Sequence, residues 1–256
     1  MEPLNSEEFY NRLAGAFDVM TDWQARLAHE MPFLREALDR HGARSVLDTA
    51  CGTGWHAIAL GREGYRTAGC DASPAMIDQA RANAAKAQVP ARFEAADFSR
   101  MDIFAETFDA VLCLGNSLPH LLSQAALTDA LAHMRARLRP KGVLILHNLN
   151  YDLRVKKQPR FFAASGHADA LVWRFADYGP ELITFHTALF ERKAQGEKTS
   201  WSVLVNSTLQ RPLLENDLDE ALIRAGFREI RHFGGLDGSA FDPEKSGDLV
   251  AVAVAE

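Results

Sequence analysis

The run Val46-Leu47-Asp48-Thr49-Ala50-Cys51-Gly52-Thr53-Gly54 constrains this chain more than any other segment. A short apolar stretch ends in an acid, and a Gly-x-Gly turn opens a helical pattern, His56-Ala57-Ile58-Ala59-Leu60. Glycine lets the backbone turn sharply and lets a ligand lie against it where a Cβ would collide. The unpaired N–H groups at the start of the next helix face that ligand. Strand, glycine turn and helix in this order make a nucleotide-type binding turn of an α/β fold.

The flanking pattern agrees. Residues 6–41 read as helical, with apolar positions at Phe9, Leu13, Phe17, Leu27, Met31, Leu34 and Leu38. Strands are then expected at 45–49, 66–70, 91–95, 109–114 and 142–147, with helices at 55–62, 74–87 and 124–138. Ser73 before Pro74 is an N-cap followed by a proline at the first helical position. Arg139-Pro140-Lys141-Gly142 stops the last of these helices and turns into the next strand. Apolar strands alternating with helices imply a mostly parallel sheet covered on both faces. After Tyr151 the segments 170–178, 182–192 and 199–211 have strand composition, the last two flanking a turn at 193–198. They read as an antiparallel meander appended to the sheet. A helix at 215–225, ended by Gly226, leads into strands at 227–233 and 248–255.

Composition narrows the function classes. A chain of 256 residues, 47% hydrophobic and 24% charged, has ample material for a buried core. A net charge of −6 gives no basic footprint for nucleic acid. No apolar run reaches the ~20 residues of a membrane span, and the first residues lack a basic start and an apolar core, so no secretory signal is expected. Cys51, Cys70 and Cys113 are odd in number and scattered, with neither a disulfide framework nor metal-ligand spacing. A cytoplasmic protein without a metal centre is expected, and a homo-oligomer is left open.

Gly52-x-Gly54-x-x-Ala57 comes close to a dinucleotide fingerprint, and Asp71, closing the second strand, suits either a dinucleotide or an adenosine ribose. Two features separate these readings. Asp48 stands where dinucleotide proteins carry an apolar residue, and Asp97-Phe98 closes the third strand, placed to hold an adenine amino group. A ligand laying its adenosine across successive strand ends suits S-adenosylmethionine better than NAD.

Four segments resemble the successive motifs of class I S-adenosylmethionine-dependent methyltransferases: residues 46–54, Gly69-Cys70-Asp71-Ala72-Ser73, Glu94-Ala95-Ala96-Asp97-Phe98 and Leu138-Arg139-Pro140-Lys141-Gly142. Val111-Leu112-Cys113-Leu114-Gly115-Asn116-Ser117-Leu118-Pro119-His120-Leu121 resembles the fourth-strand motif of the glycine and glycine/sarcosine N-methyltransferases. Asn150-Tyr151-Asp152 and Asp22-Trp23-Gln24-Ala25-Arg26 resemble that group's fifth-strand motif and its segment before the first motif. The resemblance implies a Rossmann-like class I methyltransferase fold: a mostly parallel seven-stranded sheet with N-terminal helices and an inserted antiparallel meander. It divides the chain into a helical cap at 1–43 and a methyltransferase domain at 44–256, with the meander at 153–213 covering the site.

The resemblance also implies roles. Ala50, Gly52 and Gly54 would line the cofactor, Asp71 the ribose, Asp97 and Phe98 the adenine, and Leu114 the methionine end. Arg26 would pair with the cofactor carboxylate, and Trp23, Ala72 and Met76 complete the cofactor set. Asn116 would sit beside the methyl group. One departure stands out: the glycine enzymes carry a carboxylate-binding arginine just before Asn-Tyr-Asp, where this chain has Leu149. A carboxylate left unpaired there loses on the order of 1–3 kcal/mol. Glycine is therefore disfavoured unless Arg154, Arg160 or Arg174 takes over.

The expected chemistry is in-line displacement of a methyl group onto a small-molecule acceptor, an amine nitrogen favoured, leaving S-adenosylhomocysteine. Alignment alone can supply about 7–11 kcal/mol of such a barrier. His120 and His147, near strand ends, are the candidate bases, and Trp173, Phe175, Tyr178 and Trp201 are placed to close over the pocket. Plainer readings stand beside these: Asp48 and Asp97 as helix or loop caps, Asn116 as a turn former, the histidines as structural, the tryptophans as meander core. The fold leaves transfer to oxygen or sulfur open, and a cofactor-binding module without catalysis.

Overall fold

The computed structural model describes residues 2–195 and 198–256. Of the turn expected at 193–198, residues 196 and 197 lie outside the described residues.

Helix α1 (Ser6–Phe17) is capped by Asn5, whose side chain accepts from Glu8 N, and runs through a short 3-10 turn at Asp18–Met20. Helix α2 (Trp23–Arg40) starts on an Asp22 cap, so the long helical segment is two helices joined by a turn. Then follow β1 (Ser45–Thr49), α3 (Trp55–Arg62), β2 (Arg66–Asp71), α4 (Pro74–Ala87), β3 (Arg92–Ala95), β4 (Phe108–Cys113), α5 (Gln124–Ala136) and β5 (Leu138–Leu149). Ser73 caps α4 through its hydroxyl, as its position before Pro74 implies.

The seven-stranded sheet has the order β10-β11-β5-β4-β1-β2-β3, where β10 is Phe227–Phe233 and β11 is Asp248–Ala255. Strands β1 to β5 pair in parallel, and β11 lies antiparallel between β5 and β10. Val46 and Leu47 point to opposite faces and join separate cores, one under α2 and α3, the other under α5 and the helix α7 (Glu215–Arg224). Both faces of β1 are buried, as its place between β4 and β2 inside a sheet covered on both sides requires. Chain order reverses between β1 and β4, and a crevice opens there beyond the strand ends.

Two features differ from expectation. Strand β5 begins at Leu138, because residues 139–142 bulge within it: Phe108 pairs with Leu138 and Ala110 with Val143, and Lys141 takes a left-handed φ of 62°. The meander is a sheet of its own, order β6-β7-β8-β9, with β6 Ser165–His167, β7 Ala170–Tyr178, β8 Ile183–Gln195 and β9 Lys198–Gln210. It follows a helix α6 (Tyr151–Lys157) capped by Asn150. Leu4 bridges to Thr208, and the 3-10 turn after α1 contacts β6 and β7, so the N-terminal segment and the second sheet meet above the first. The cysteines are buried free thiols, and no helix among the described residues is long and apolar enough to cross a membrane.

Candidate active site

A cavity of about 890 Å³ sits at the switch point, bounded by the ends of β1, β2 and β4, by α1 and α2, and by the second sheet. Backbone conformation at the strand ends builds its floor. Ala50 after β1 and Asn116 after β4 take left-handed φ values of 61° and 68°, uncommon for residues with a Cβ. Such strain persists where surrounding bonds fix it, and it gathers at functional sites.

The two turn glycines have different jobs. Gly52, at φ 53°, lines the cavity and donates its N–H to Asp71 Oδ2 at 2.9 Å. Gly54, at φ 84°, faces away from it. A Cβ there would stand 2.9 Å from the Phe93 ring and 3.0 Å from Ala80, so this glycine lets α3 pack against α4 and β3. It is the one cofactor-set residue that stands off the cavity; Trp23, Arg26, Ala50, Gly52, Asp71, Ala72, Met76, Asp97, Phe98 and Leu114 all reach it.

The three strand-end acids line one wall. Asp71 accepts from Gly52 N and Ser73 N, and burial raises its pKa against those two bonds. Asp48 is 2% exposed, its Oδ2 has no hydrogen-bond partner, and burial beside Asp71 pushes it up to about 8, with Arg26 opposing. It caps nothing. Asp97 does cap a loop, through Oδ1 to the Ser99 amide and hydroxyl, while still facing the cavity.

Opposite the acids, Arg26 is held by Glu30 at 2.9 Å, and Glu30 in turn meets His56 Nε2 at 2.6 Å. Burial alone would raise Glu30, but the His56 bond and Arg26 outweigh it and bring it down to about 2. Burial lowers the His56 pKa despite that carboxylate. The Arg26 guanidinium lies 5.0 Å over the Trp23 ring. Asp18 ties this corner to the glycine turn, accepting from Trp23 Nε1 at 2.8 Å, Thr53 Oγ1 at 2.7 Å and Trp55 Nε1 at 3.2 Å.

At the far end, Asn116 is fixed from three sides. Its N–H donates to His147 O, its Oδ1 accepts from Leu149 N at 3.0 Å, and its Nδ2 donates to the Tyr151 hydroxyl at 3.0 Å. Tyr151, 1% exposed, donates onward to Gln210 Oε1 at 3.1 Å. His120 Nε2 lies 3.4 Å from Gln210 Nε2 and 3.2 Å from the Tyr10 hydroxyl. This network joins α1, β4, α6 and β9. Burial holds His120 down to about 4. His147 is engaged at both nitrogens: Nδ1 accepts from Gly115 N at 3.3 Å, and Nε2 faces Asp248 at 3.5 Å.

The second sheet covers the cavity with the face that carries Arg174. Trp173, Phe175 and Trp201 lie on the opposite face, Trp173 stacked on Phe161 and Trp201 54% exposed, and Tyr178, though on the Arg174 face, does not line the cavity. Arg174, Phe185, Thr187 and Gln210 line it, with Arg154 from α6 and Phe162. Arg160 pairs with Asp177 at 3.0 Å and stays outside. Tyr10 and Gln210 carried no sequence signal, because each is an isolated polar residue whose partners lie far along the chain; Asp18, Glu30 and Thr187 were likewise not picked out.

Comparison with known proteins fits this geometry. The family described as "Methyltransferase domain" matches residues 46–142. A glycine/sarcosine N-methyltransferase of Parasynechococcus marenigrum is 43% identical over 241 residues, 93% of this chain and 82% of that protein. This chain is a class I S-adenosylmethionine-dependent methyltransferase of the glycine/sarcosine N-methyltransferase family. The glycine/sarcosine N-methyltransferase of Aphanothece halophytica is 37% identical over 158 residues, and there the match spans 60% of each chain. A solved S-adenosylmethionine-dependent methyltransferase from Clostridium acetobutylicum shares the fold at a TM-score of 0.80, with 17% identity, covering 96% of this chain and 98% of that one.

The methyltransferase cleft suits S-adenosylmethionine on its own chemistry. A glycine turn admits close approach, acids stand at three successive strand ends, and a buried Asp48 oxygen lacks a partner on the wall that would meet a cationic ligand.

Proposed function

We propose that this methyltransferase moves the methyl group of S-adenosylmethionine onto an amine nitrogen of a small-molecule acceptor, leaving S-adenosylhomocysteine. Asp71 would hold the ribose hydroxyls, Asp97 and Phe98 the adenine, and Arg26 the carboxylate, with Gly52, Ala50, Ala72, Met76, Trp23 and Leu114 shaping the cleft. The bound cofactor supplies a methyl group already activated on sulfur and transferable in line. Asn116 orients the acceptor beside it, its amide fixed by Leu149 N and Tyr151.

The observation favouring nitrogen is the state of His120. Held near 4 by burial, it is neutral and a weak base, too weak to take a proton from a hydroxyl. A nucleophile that brings its own lone pair, a neutral amine, needs only to be oriented. His147, with both nitrogens engaged, is better placed to hold the Gly115 turn than to move a proton. The helices at 1–43 and the insertion at 153–213 act as a cap that excludes water over the domain at 44–256.

The test is release of S-adenosylhomocysteine across a panel of amines, hydroxyls and thiols that includes glycine and sarcosine. Turnover with amines is expected. Equal or faster turnover with a hydroxyl or thiol overturns the nitrogen reading, and cofactor binding with no turnover overturns catalysis.

A further inference from the structure

Two cavity arginines lack an anionic partner, although the Arg154 guanidinium lies 5.0 Å over the Phe162 ring and beside Tyr178. Arg154 on α6 and Arg174 on β7 both line the cavity, both have a buried Nε without a hydrogen-bond partner, and neither pairs with a carboxylate among the described residues. Arg160 and Arg192 in the same region do pair, with Asp177 at 3.0 Å and Asp169 at 3.1 Å. Arg26 has Glu30. Thr187, directly across from Arg174 in the β7–β8 register, is 1% exposed and lines the cavity with a buried, unpartnered hydroxyl.

Each arginine is half-buried with its Nε fully buried, and a buried N–H or hydroxyl left without a partner costs free energy. Arg174 also feels burial and the like charges of Arg26 and Arg154, which together lower its pKa, yet a guanidinium stays charged. Three groups able to donate therefore converge where an anion would offset the charge. The adjacent strand end offers only Leu149, whose amide already donates to Asn116.

We propose that Arg154 and Arg174, with the Thr187 hydroxyl, form a clamp for the carboxylate of the acceptor, moved from the strand end at Leu149 to α6 and the inserted sheet. The acceptor class is thus an amine that also carries a carboxylate. Planar guanidinium forks match a carboxylate's two oxygens, and charge-assisted bonds of this type are the strong ones. Specificity for the acid then depends on the cap's position, because Arg174 belongs to the second sheet and Arg154 to the helix leading into it. The inference rests on an amine lying beside Asn116, but its test does not need turnover.

Acetate serves as the carboxylate probe, titrated calorimetrically into protein saturated with S-adenosylhomocysteine. Arg154→Gln and Arg174→Gln are each expected to weaken acetate by about tenfold or more, and to leave S-adenosylhomocysteine affinity within about twofold. Arg174→Lys, which keeps the charge and the alkyl stem, is expected to recover part of the loss, and Thr187→Val to weaken acetate by a few-fold. In turnover, preference for sarcosine over its methyl ester is expected to collapse in the glutamine variants. Unchanged acetate affinity overturns the clamp, and so does an equal loss of S-adenosylhomocysteine, which would assign the arginines to the cofactor. If no amine is methylated while acetate still binds through these arginines, the amine reading fails and the clamp stands. If amines are methylated but acetate ignores both substitutions, the reverse holds.

Discussion

Replacing Asp71 by asparagine tests the cofactor end with the least disturbance of shape. Each carboxylate oxygen accepts one backbone N–H at 2.9 Å, Oδ2 from Gly52 and Oδ1 from Ser73. An amide has one oxygen, so its NH2 must face one of those N–H donors and a bond is lost. The charge also disappears from the wall proposed to hold two ribose hydroxyls. A hydrogen bond to a charged group contributes about 1.5–3 kcal/mol, and one broken bond plus weaker ribose contacts come to roughly 2–4 kcal/mol. At 1.4 kcal/mol per tenfold, Asp71→Asn is expected to weaken S-adenosylmethionine and S-adenosylhomocysteine by roughly 30- to 700-fold. Isothermal titration with both ligands, well below the variant's melting temperature, reads this directly. A cooperatively melting variant with affinity within threefold of the parent would refute the ribose assignment.

Three further outcomes are expected. Asp48, usually near 3.8 but pushed up to about 8 by burial, stays protonated in the folded cleft while it ionises in the unfolded chain, so ligand-free stability falls as pH rises from about 4 to about 8. Asp48→Asn should flatten that slope in Tm measured from pH 5 to 8, and parallel profiles would show that Asp48 is already ionised. Tyr151→Phe removes the hydroxyl between Asn116 and Gln210, and should lower kcat about tenfold with S-adenosylhomocysteine affinity unchanged; an unaltered kcat would detach the network from catalysis. Leu149→Arg should give no gain on glycine or sarcosine, because it adds a further cation beside the Arg154–Arg174 clamp. A clear gain in kcat/KM would place the carboxylate at the strand end instead.

The cofactor end was legible in the sequence because its determinants are local. A glycine turn, an acid closing a strand and a Ser-Pro helix start each act within a few residues, and the parallel sheet fixes where those strand ends meet. Even there, which glycine faces the ligand was not local: Gly54 is set by Phe93 and Ala80, from β3 and α4. The β5 bulge was likewise hidden, since Pro140 and Gly142 read as a loop, while the strand pairs on either side of them.

The acceptor end was decided by tertiary structure. Tyr10, Asn116, Tyr151, Arg174 and Gln210 come from four helices and strands and one strand-end turn that only the fold brings together. The second sheet shows why alternation could not settle it. Its β7 strand carries apolar residues on both faces, Val172 and Ala176 on one and Trp173 and Phe175 on the other. Period-two alternation separates the faces but does not say which one turns inward. Packing turned the aromatic face out and brought Arg174 in, so the sequence by itself determined the methyl donor, and the face of one inserted sheet decided what charge meets the acceptor.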